Sequence, residues 1–322
     1  MDLIFIAGLG STGSSAICDF LDEQDFVYSP KEEWRIWVDP YCIIDLIKNL
    51  VNNNSVFTIN ESINNFNKTM SSISNSSIYK YSHLKLNSDH SRCIDDIRKQ
   101  ILKKIISEEY YGLWYGNSNF FNAKLNFFLS RILWKNKIIN KKMFINSELD
   151  ENQVYSVFSK IIENELNKLL LANSSNKLVI NENFSILFAD EILKLHPNSK
   201  IILTIRHPFD VYADSYRVGW LAMPYDIKKF LKWQWSMFNQ VQKILKKNQK
   251  NIFVQSFEDF VKNHQKSYEN ISNFLNIDLD KNKFNSKFNK NKSIKNINQW
   301  KITHKWLEDF SDKLPPFHRL TK

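Results

Sequence analysis

Three glycines and four hydroxyl side chains crowd into Gly8-Leu9-Gly10-Ser11-Thr12-Gly13-Ser14-Ser15. A loop of that kind turns tightly and gathers backbone N–H groups on one side, and it holds an anion when a helix follows. The flanking residues fit. Leu3-Ile4-Phe5-Ile6-Ala7 reads as an apolar strand, and Ala16, Ile17, Phe20 and Leu21 recur at helical spacing among Asp19, Asp22 and Glu23. The expected ligand is a nucleotide phosphate or its sulfate equivalent.

Residue types narrow the chemistry. Gly8 and Gly13 have the spacing of the NTPase P-loop, but Ser14 stands where its lysine belongs. Gly8, Gly10 and Gly13 also satisfy G-x-G-x-x-G. The acid that should follow about 20 positions later is missing, because the candidate second strand, Asp25-Phe26-Val27-Tyr28, runs into Ser29-Pro30-Lys31. An ordinary ATPase and a dinucleotide oxidoreductase are both disfavoured.

A second chemical cluster spans Pro30-Lys31-Glu32-Glu33-Trp34-Arg35-Ile36-Trp37-Val38-Asp39-Pro40. Glu33 and Arg35, two positions apart, share a face if this segment is extended. Acid and arginine pairs fix hydroxyl groups, and tryptophan faces stack on sugar rings, with plain core packing of Trp34 and Trp37 as the equal alternative. Glu33 and Arg35 are therefore candidate catalytic residues, and Arg35 or Lys31 is a candidate source of positive charge for the nearby loop. The seven histidines show no H-x-x-x-H or acid-rich pattern, so no metal is expected.

These groups need a scaffold, and 43% hydrophobic residues supply a core for one. From Val154 the positions Phe158, Ile161, Ile162, Leu166, Leu169 and Leu170 recur at helical spacing. Strand Lys177 to Ile180, a short helix from Ala189 to Leu195, and strand Lys200 to Ile205 follow. Next come a helix from about Asp226 to Lys247, strand Ile252 to Val254, and a helix through Tyr268, Ile271 and Leu275. Trp233 and Trp235 are expected in the core. Alternating strands and helices predict an α/β fold: a parallel sheet with helices on both faces, in three layers. One domain, residues 1–322, is expected. Its variable insertion around 52–142 includes a polar loop or helical stretch from Asn52 to Ser77.

Composition excludes several classes. Cys18, Cys42 and Cys93 are too widely spaced for a disulfide framework or a zinc site. No run reaches the roughly 18 apolar residues of a membrane helix. Met1-Asp2 leads straight into a strand, without the basic and small-residue pattern of a secretory signal, so a cytoplasmic protein is expected. The net charge of +10 is uneven, with six lysines and no acid from Lys281 to Lys295. That run is read as a solvated loop or as a basic flap over an anionic cofactor, with peripheral attraction to an anionic membrane as a further role. No aromatic-basic module supports nucleic-acid binding.

Several stretches carry a family resemblance. Thr12-Gly13-Ser14-Ser15 resembles the sulfotransferase loop, with Ser11 in its basic slot. Arg206-His207-Pro208-Phe209-Asp210 through Ser215 resembles the sulfotransferase segment that binds the 3′-phosphate of 3′-phosphoadenosine 5′-phosphosulfate. His196-Pro197-Asn198-Ser199-Lys200-Ile201-Ile202 resembles the family's lead into that strand. Ser256-Phe257-Glu258-Asp259-Phe260-Val261 and Ile271-Ser272-Asn273-Phe274-Leu275 resemble two later family segments. The stretch ending Gln299-Trp300-Lys301 resembles the part that folds over the nucleotide.

The resemblance implies a P-loop-like fold. It also implies a sulfotransferase of the bacterial, carbohydrate-modifying kind, with 3′-phosphoadenosine 5′-phosphosulfate as co-substrate. The acceptor would be a hydroxyl of a surface polysaccharide or its lipid-linked precursor. Gly10, Ser11, Thr12, Gly13, Ser14 and Ser15 would hold the donor's 5′ side, Arg206 and Ser215 its 3′-phosphate, and Phe257 its adenine. The family base, a His or a Glu near a strand end, points to Glu182 after strand Lys177 to Ile180. The departures are Ser11, Asp214 at the family's serine position, and a missing arginine-lysine-glycine trio. Lys292 and Lys295 replace the trio's charge loosely. The rival readings are a P-loop kinase and a nucleotide-binding protein without catalysis.

Overall fold

The computed structural model describes residues 2–52, 55–75, 86–112, 141–219, 224–279 and 287–321. They form two compact units, Met1–Val38 with Leu166–Lys322, and Asp39–Glu165. The first unit opens with β1 (Asp2–Gly8), α1 (Ser14–Leu21) and β2 (Val27–Tyr28). The second contains α2 (Ile43–Asn52), α3 (Val56–Ser74), α4 (Ser88–Ile105) and the antiparallel pair β3 (Ile106–Gly112) and β4 (Lys141–Asn146). Helix α5 (Glu151–Ala172) leads back to the first unit, which continues with β5 (Lys177–Asn181), α6 (Ala189–Leu195) and β6 (Lys200–Ile205). Then follow α7 (Pro208–Val218), α8 (Ile227–Lys247), β7 (Ile252–Ser256), α9 (Phe257–Lys262) and α10 (His264–Leu275).

The first unit is the expected α/β architecture. Its five strands are all parallel, in the order β2-β5-β1-β6-β7. Both sheet faces are covered, which is why the strands read as unbroken apolar runs. On one face Ile4, Ile6, Val179 and Ile202 pack with Ile17, Phe20, Phe260 and Tyr268. On the other, the ring of Phe5 meets Trp37 edge-on at 5.2 Å, and Trp37 Nε1 donates to His196 Nε2 at 3.3 Å. The chain leaves β1 toward β2 at one edge and later crosses from β5 to β6 on the other side. The carboxyl ends of β1 and β6 thus flank a topological switch point, where open α/β sheets bind ligands.

Of the two alternatives for the Asn-rich stretch after Asn52, its described residues take the helical one: α3, whose Ile59, Ile63, Phe66, Met70 and Ile73 are buried. Its Asn60 is also buried; the side chain donates to Phe144 O at 2.9 Å and accepts from Phe144 N at 2.6 Å, tying α3 to β4. Trp235 is not core: it is 40% exposed, and its indole donates to Lys313 O at 2.8 Å. Residues 53–54, 76–85 and 113–140 of the expected insertion and 281–286 of the basic run lie outside the described residues.

Candidate active site at the carboxyl edge of the sheet

The glycine loop is wedged between β6, α9 and the segment after β5. Strand register sets Gly8 beside Thr204, and the Thr12 and Thr204 hydroxyls share a hydrogen bond of 2.9 Å. A Cβ on Gly8 would lie 2.5 Å from Asn183 Oδ1 and 2.6 Å from Thr12 Oγ1. Gly13 has φ of 89°, in the left-handed region that favours glycine, and a Cβ there would overlap the ring of Phe257. Gly10 is buried, Ser11 turns at φ 51°, and Ser14 and Ser15 form the first turn of α1. Asn181 Nδ2 reaches Ser15 Oγ at 3.5 Å.

Arg206 leaves the end of β6 and enters this loop. Its Nη1 donates to Ser11 O at 2.9 Å and its Nη2 to Asn296 O at 2.6 Å, while the guanidinium lies 5.2 Å from the centre of the Phe257 ring. Its Nε is buried without a hydrogen-bond partner. Helix α7, whose first helical residue is Pro208, then presents two side chains to the same place. Ser215 Oγ donates to Ser11 Oγ at 3.3 Å, and Asp214 Oδ2 lies 3.6 Å from Arg206 Nη1. Gly13, Ser11, Arg206, Asp214, Ser215 and Phe257, separated by up to 246 positions in the chain, therefore meet.

A C-terminal segment closes over Arg206, held by Asp210. Asp210 is fully buried and accepts from Asn298 N at 2.8 Å and Trp300 N at 3.2 Å. Trp300 stacks on His207 with centroids 5.6 Å apart. Burial pushes the His207 pKa down, against the upward pull of Asp210 and Glu258. His207 Nδ1 accepts from Phe209 N at 3.2 Å, so the ring caps α7 in its neutral form. Lys292 and Lys295 lie on this segment and are exposed, whereas it is the carbonyl of Asn296 that touches Arg206.

Glu182, Glu33 and Arg35 also converge. Glu182 is fully buried, and its carboxylate accepts from Arg35 N at 2.9 Å and Val38 N at 3.4 Å. It fixes a turn in which Arg35 has φ of 58°. Arg35 Nη1 bonds Glu33 Oε2 at 3.2 Å, and Asn183 Nδ2 donates to Glu33 Oε1. Because Asn183 also packs on Gly8, Glu33 is tied to the glycine loop through one amide side chain. Asn183 was missed by sequence reasoning; its position next to Glu182 was the available signal. Trp34 and Trp37 are fully buried and stack at 6.3 Å, so neither offers a face to a sugar.

A cavity of about 450 Å³ opens beside Arg206 at the ends of β6 and β7. Its polar lining includes Glu258, Asp259 and Lys262; Ile205, Ile297 and Phe317 are among its apolar walls. Among the described residues no group of three or more His, Cys, Asp or Glu side chains is arranged to hold a metal, and no helix is long and apolar enough to cross a membrane.

A loop-to-helix anion cradle beside a strand-end arginine defines a protein that handles phosphate or sulfate esters on an α/β sheet. The family model described as sulfotransferase family matches residues 3–281, and the chain belongs to that family. It is a sulfotransferase. Among solved structures it is similar to a sulfotransferase from Mycobacterium tuberculosis H37Rv, at 10% identity over 93% of this chain and 77% of that one, with a TM-score of 0.41. A Mycobacterium avium sulfotransferase matches at 12% identity over 94% and 68%, TM-score 0.38. The sulfotransferase domain from the Synechococcus PCC 7002 olefin synthase matches at 14% over 89% and 77%, TM-score 0.37. No curated protein matches the sequence.

Proposed function

We propose that this enzyme transfers sulfonate from 3′-phosphoadenosine 5′-phosphosulfate to a carbohydrate hydroxyl. The acceptor oxygen forms a bond to sulfur as the bond from sulfur to the bridging phosphate oxygen breaks, releasing adenosine 3′,5′-bisphosphate. Backbone N–H groups and hydroxyls from Gly10 to Ser15 hold the 5′-phosphate, and Arg206 holds the 3′-phosphate. Glu33, oriented by Asn183 and Arg35, accepts the proton of the attacking hydroxyl. Glu182 fixes the turn that carries Arg35 and does not take the proton itself, since its carboxylate already holds two backbone N–H groups.

The observation that carries this reading is Arg206, buried between the loop, α7 and the C-terminal segment, with one donor unpaired. For the acceptor, support comes from the partly exposed rings of Tyr216, Tyr225 and Trp306. Tyr216 directly follows Ser215, stacks near Tyr212, and meets Tyr225 at 5.5 Å. Amphipathic ring faces of this kind suit a sugar.

The test is equilibrium binding of adenosine 3′,5′-bisphosphate, adenosine 5′-monophosphate, ATP, NAD and S-adenosylmethionine to the full chain and to Arg206→Ala. Loss of a charge-assisted phosphate contact costs roughly 1.5–3 kcal/mol, or about ten- to a hundred-fold. The bisphosphate should bind tightest and lose that factor, with the monophosphate little changed. Equal losses for both, or tighter binding of ATP, would refute the donor assignment.

A further inference from the structure

Two departures from the family pattern meet at one place. Asp214 replaces the serine expected to bind the 3′-phosphate, and the arginine-lysine-glycine trio is missing. Asp214 does not stand alone against the phosphate site. Its Oδ2 lies 3.6 Å from Arg206 Nη1 and its Oδ1 lies 2.6 Å from Arg217 Nη2. A single carboxylate therefore stands between two guanidinium groups, one on each oxygen, one buried and one with 65% of its side chain exposed. Ser215, between them on α7, touches Ser11 of the phosphate loop. That hydroxyl takes the position beside the loop that Asp214 does not.

We infer that Arg217 is the second cation of the 3′-phosphate site and that Asp214 is its displaceable counter-ion. This rests on the donor reading above. A phosphate carries three acceptor oxygens and more charge than a carboxylate, and arginine forks match its geometry. When the 3′-phosphate arrives at Arg206, it takes over the bridging position of Asp214 and recruits Arg217. The pair Asp214 and Arg217 thus compensates for both departures. Without nucleotide, Asp214 keeps the arginines together at a net local charge of one positive unit, instead of two that repel. Lys292 and Lys295, exposed on the C-terminal segment, are not the source of the charge.

The experiment measures the Kd ratio of adenosine 5′-monophosphate to adenosine 3′,5′-bisphosphate, which a general loss of structure does not move selectively. Arg217→Ala should lower that ratio about tenfold, and Arg217→Lys should recover part of it, since lysine keeps the charge but loses the fork. Asp214→Asn with Arg217 intact should raise the ratio, by freeing both arginines. The double variant Lys292→Ala/Lys295→Ala should change it less than about twofold, as exposed charges are screened. An unchanged ratio in Arg217→Ala, or a larger effect from the lysine pair, overturns the inference. If Arg206→Ala abolishes the wild-type preference while Arg217→Ala leaves it, the donor reading stands and only the role of Arg217 fails. If the wild-type chain shows no preference for the bisphosphate, both fall.

Discussion

Phe257 closes the space in which a side chain on Gly13 would have to fit. Its ring carbons occupy the position of a Cβ at residue 13, and Arg206 lies over the same ring. The glycine loop, the strand-end arginine and the start of α9 are therefore packed as one unit. Substituting Gly13 does more than block a ligand.

Gly13→Ala should destabilise the protein by about 2–4 kcal/mol, combining a positive φ with overpacking. Phe257→Ala in the same chain should recover the overpacking part but not the backbone part. A double-mutant cycle in denaturant reads the coupling directly. Simple additivity of the two changes would mean the ring is not what excludes a side chain.

Glu182 and Glu33 are separable. Glu182→Gln puts an amide where the carboxylate accepts from Arg35 N and Val38 N, so it should cost about 1–3 kcal/mol of stability. The folded fraction should keep its pH profile. Glu33→Gln should leave stability nearly unchanged, lower kcat by roughly 10²- to 10⁴-fold, and remove the acid limb of the kcat profile. If the acid limb disappears with Glu182→Gln instead, the proton goes to Glu182.

His207 makes stability depend on pH. Its ordinary pKa of 6.5 is lowered in the folded chain, first by burial and further by Lys301 and Arg206, against Asp210 and Glu258. Between the lowered value and 6.5 the unfolded chain binds more protons, so stability rises with pH across that window. The contribution is complete above 6.5 and is lost as pH falls through the folded value. His207→Asn keeps a capping side chain and removes the titration. Its Tm should therefore fall less steeply than the wild type's below about pH 6.5. Parallel curves would show that His207 does not titrate with unfolding; His264, whose pKa burial also lowers, would then account for the slope.

The sheet was legible because parallel strands buried on both faces are written as apolar runs such as Lys200 to Ile205, and the strand-loop-helix turn because its glycines and hydroxyl residues cluster between an apolar strand and a helical pattern. Helix α3 was legible only as one of two alternatives, because of its asparagines. Its buried positions 59, 63, 66, 70 and 73 do follow a helical spacing, but Asn60 serves as a buried bridge where an apolar residue is the usual choice. The types of Trp34 and Trp37 suit ligand stacking and core packing alike, and only the fold, which buries both, decides for the core. The partnerships of Glu182 with the Arg35 turn and of Asp210 with Trp300 link positions 147 and 90 residues apart. No local pattern encodes such pairings.

Asp210 latches the C-terminal segment over Arg206. It is fully buried and accepts the amides of Asn298 and Trp300, and two residues earlier in that segment Asn296 O accepts from Arg206. Each hydrogen bond to a buried charge contributes roughly 1.5–3 kcal/mol, so Asp210→Ala should be severely destabilised. Asp210→Asn keeps one acceptor and should fold. In that variant the Asn298 and Trp300 amides should exchange with solvent faster than in the wild type, while the amides of β1 and β6 keep their protection. Binding of adenosine 3′,5′-bisphosphate should weaken several-fold, because Arg206 loses the fixed position of its Asn296 partner, and saturating nucleotide should restore part of the lost protection. Wild-type exchange rates at residues 298 and 300 in a folded Asp210→Asn chain would mean that the stacking of Trp300 on His207, rather than the carboxylate, holds the segment down.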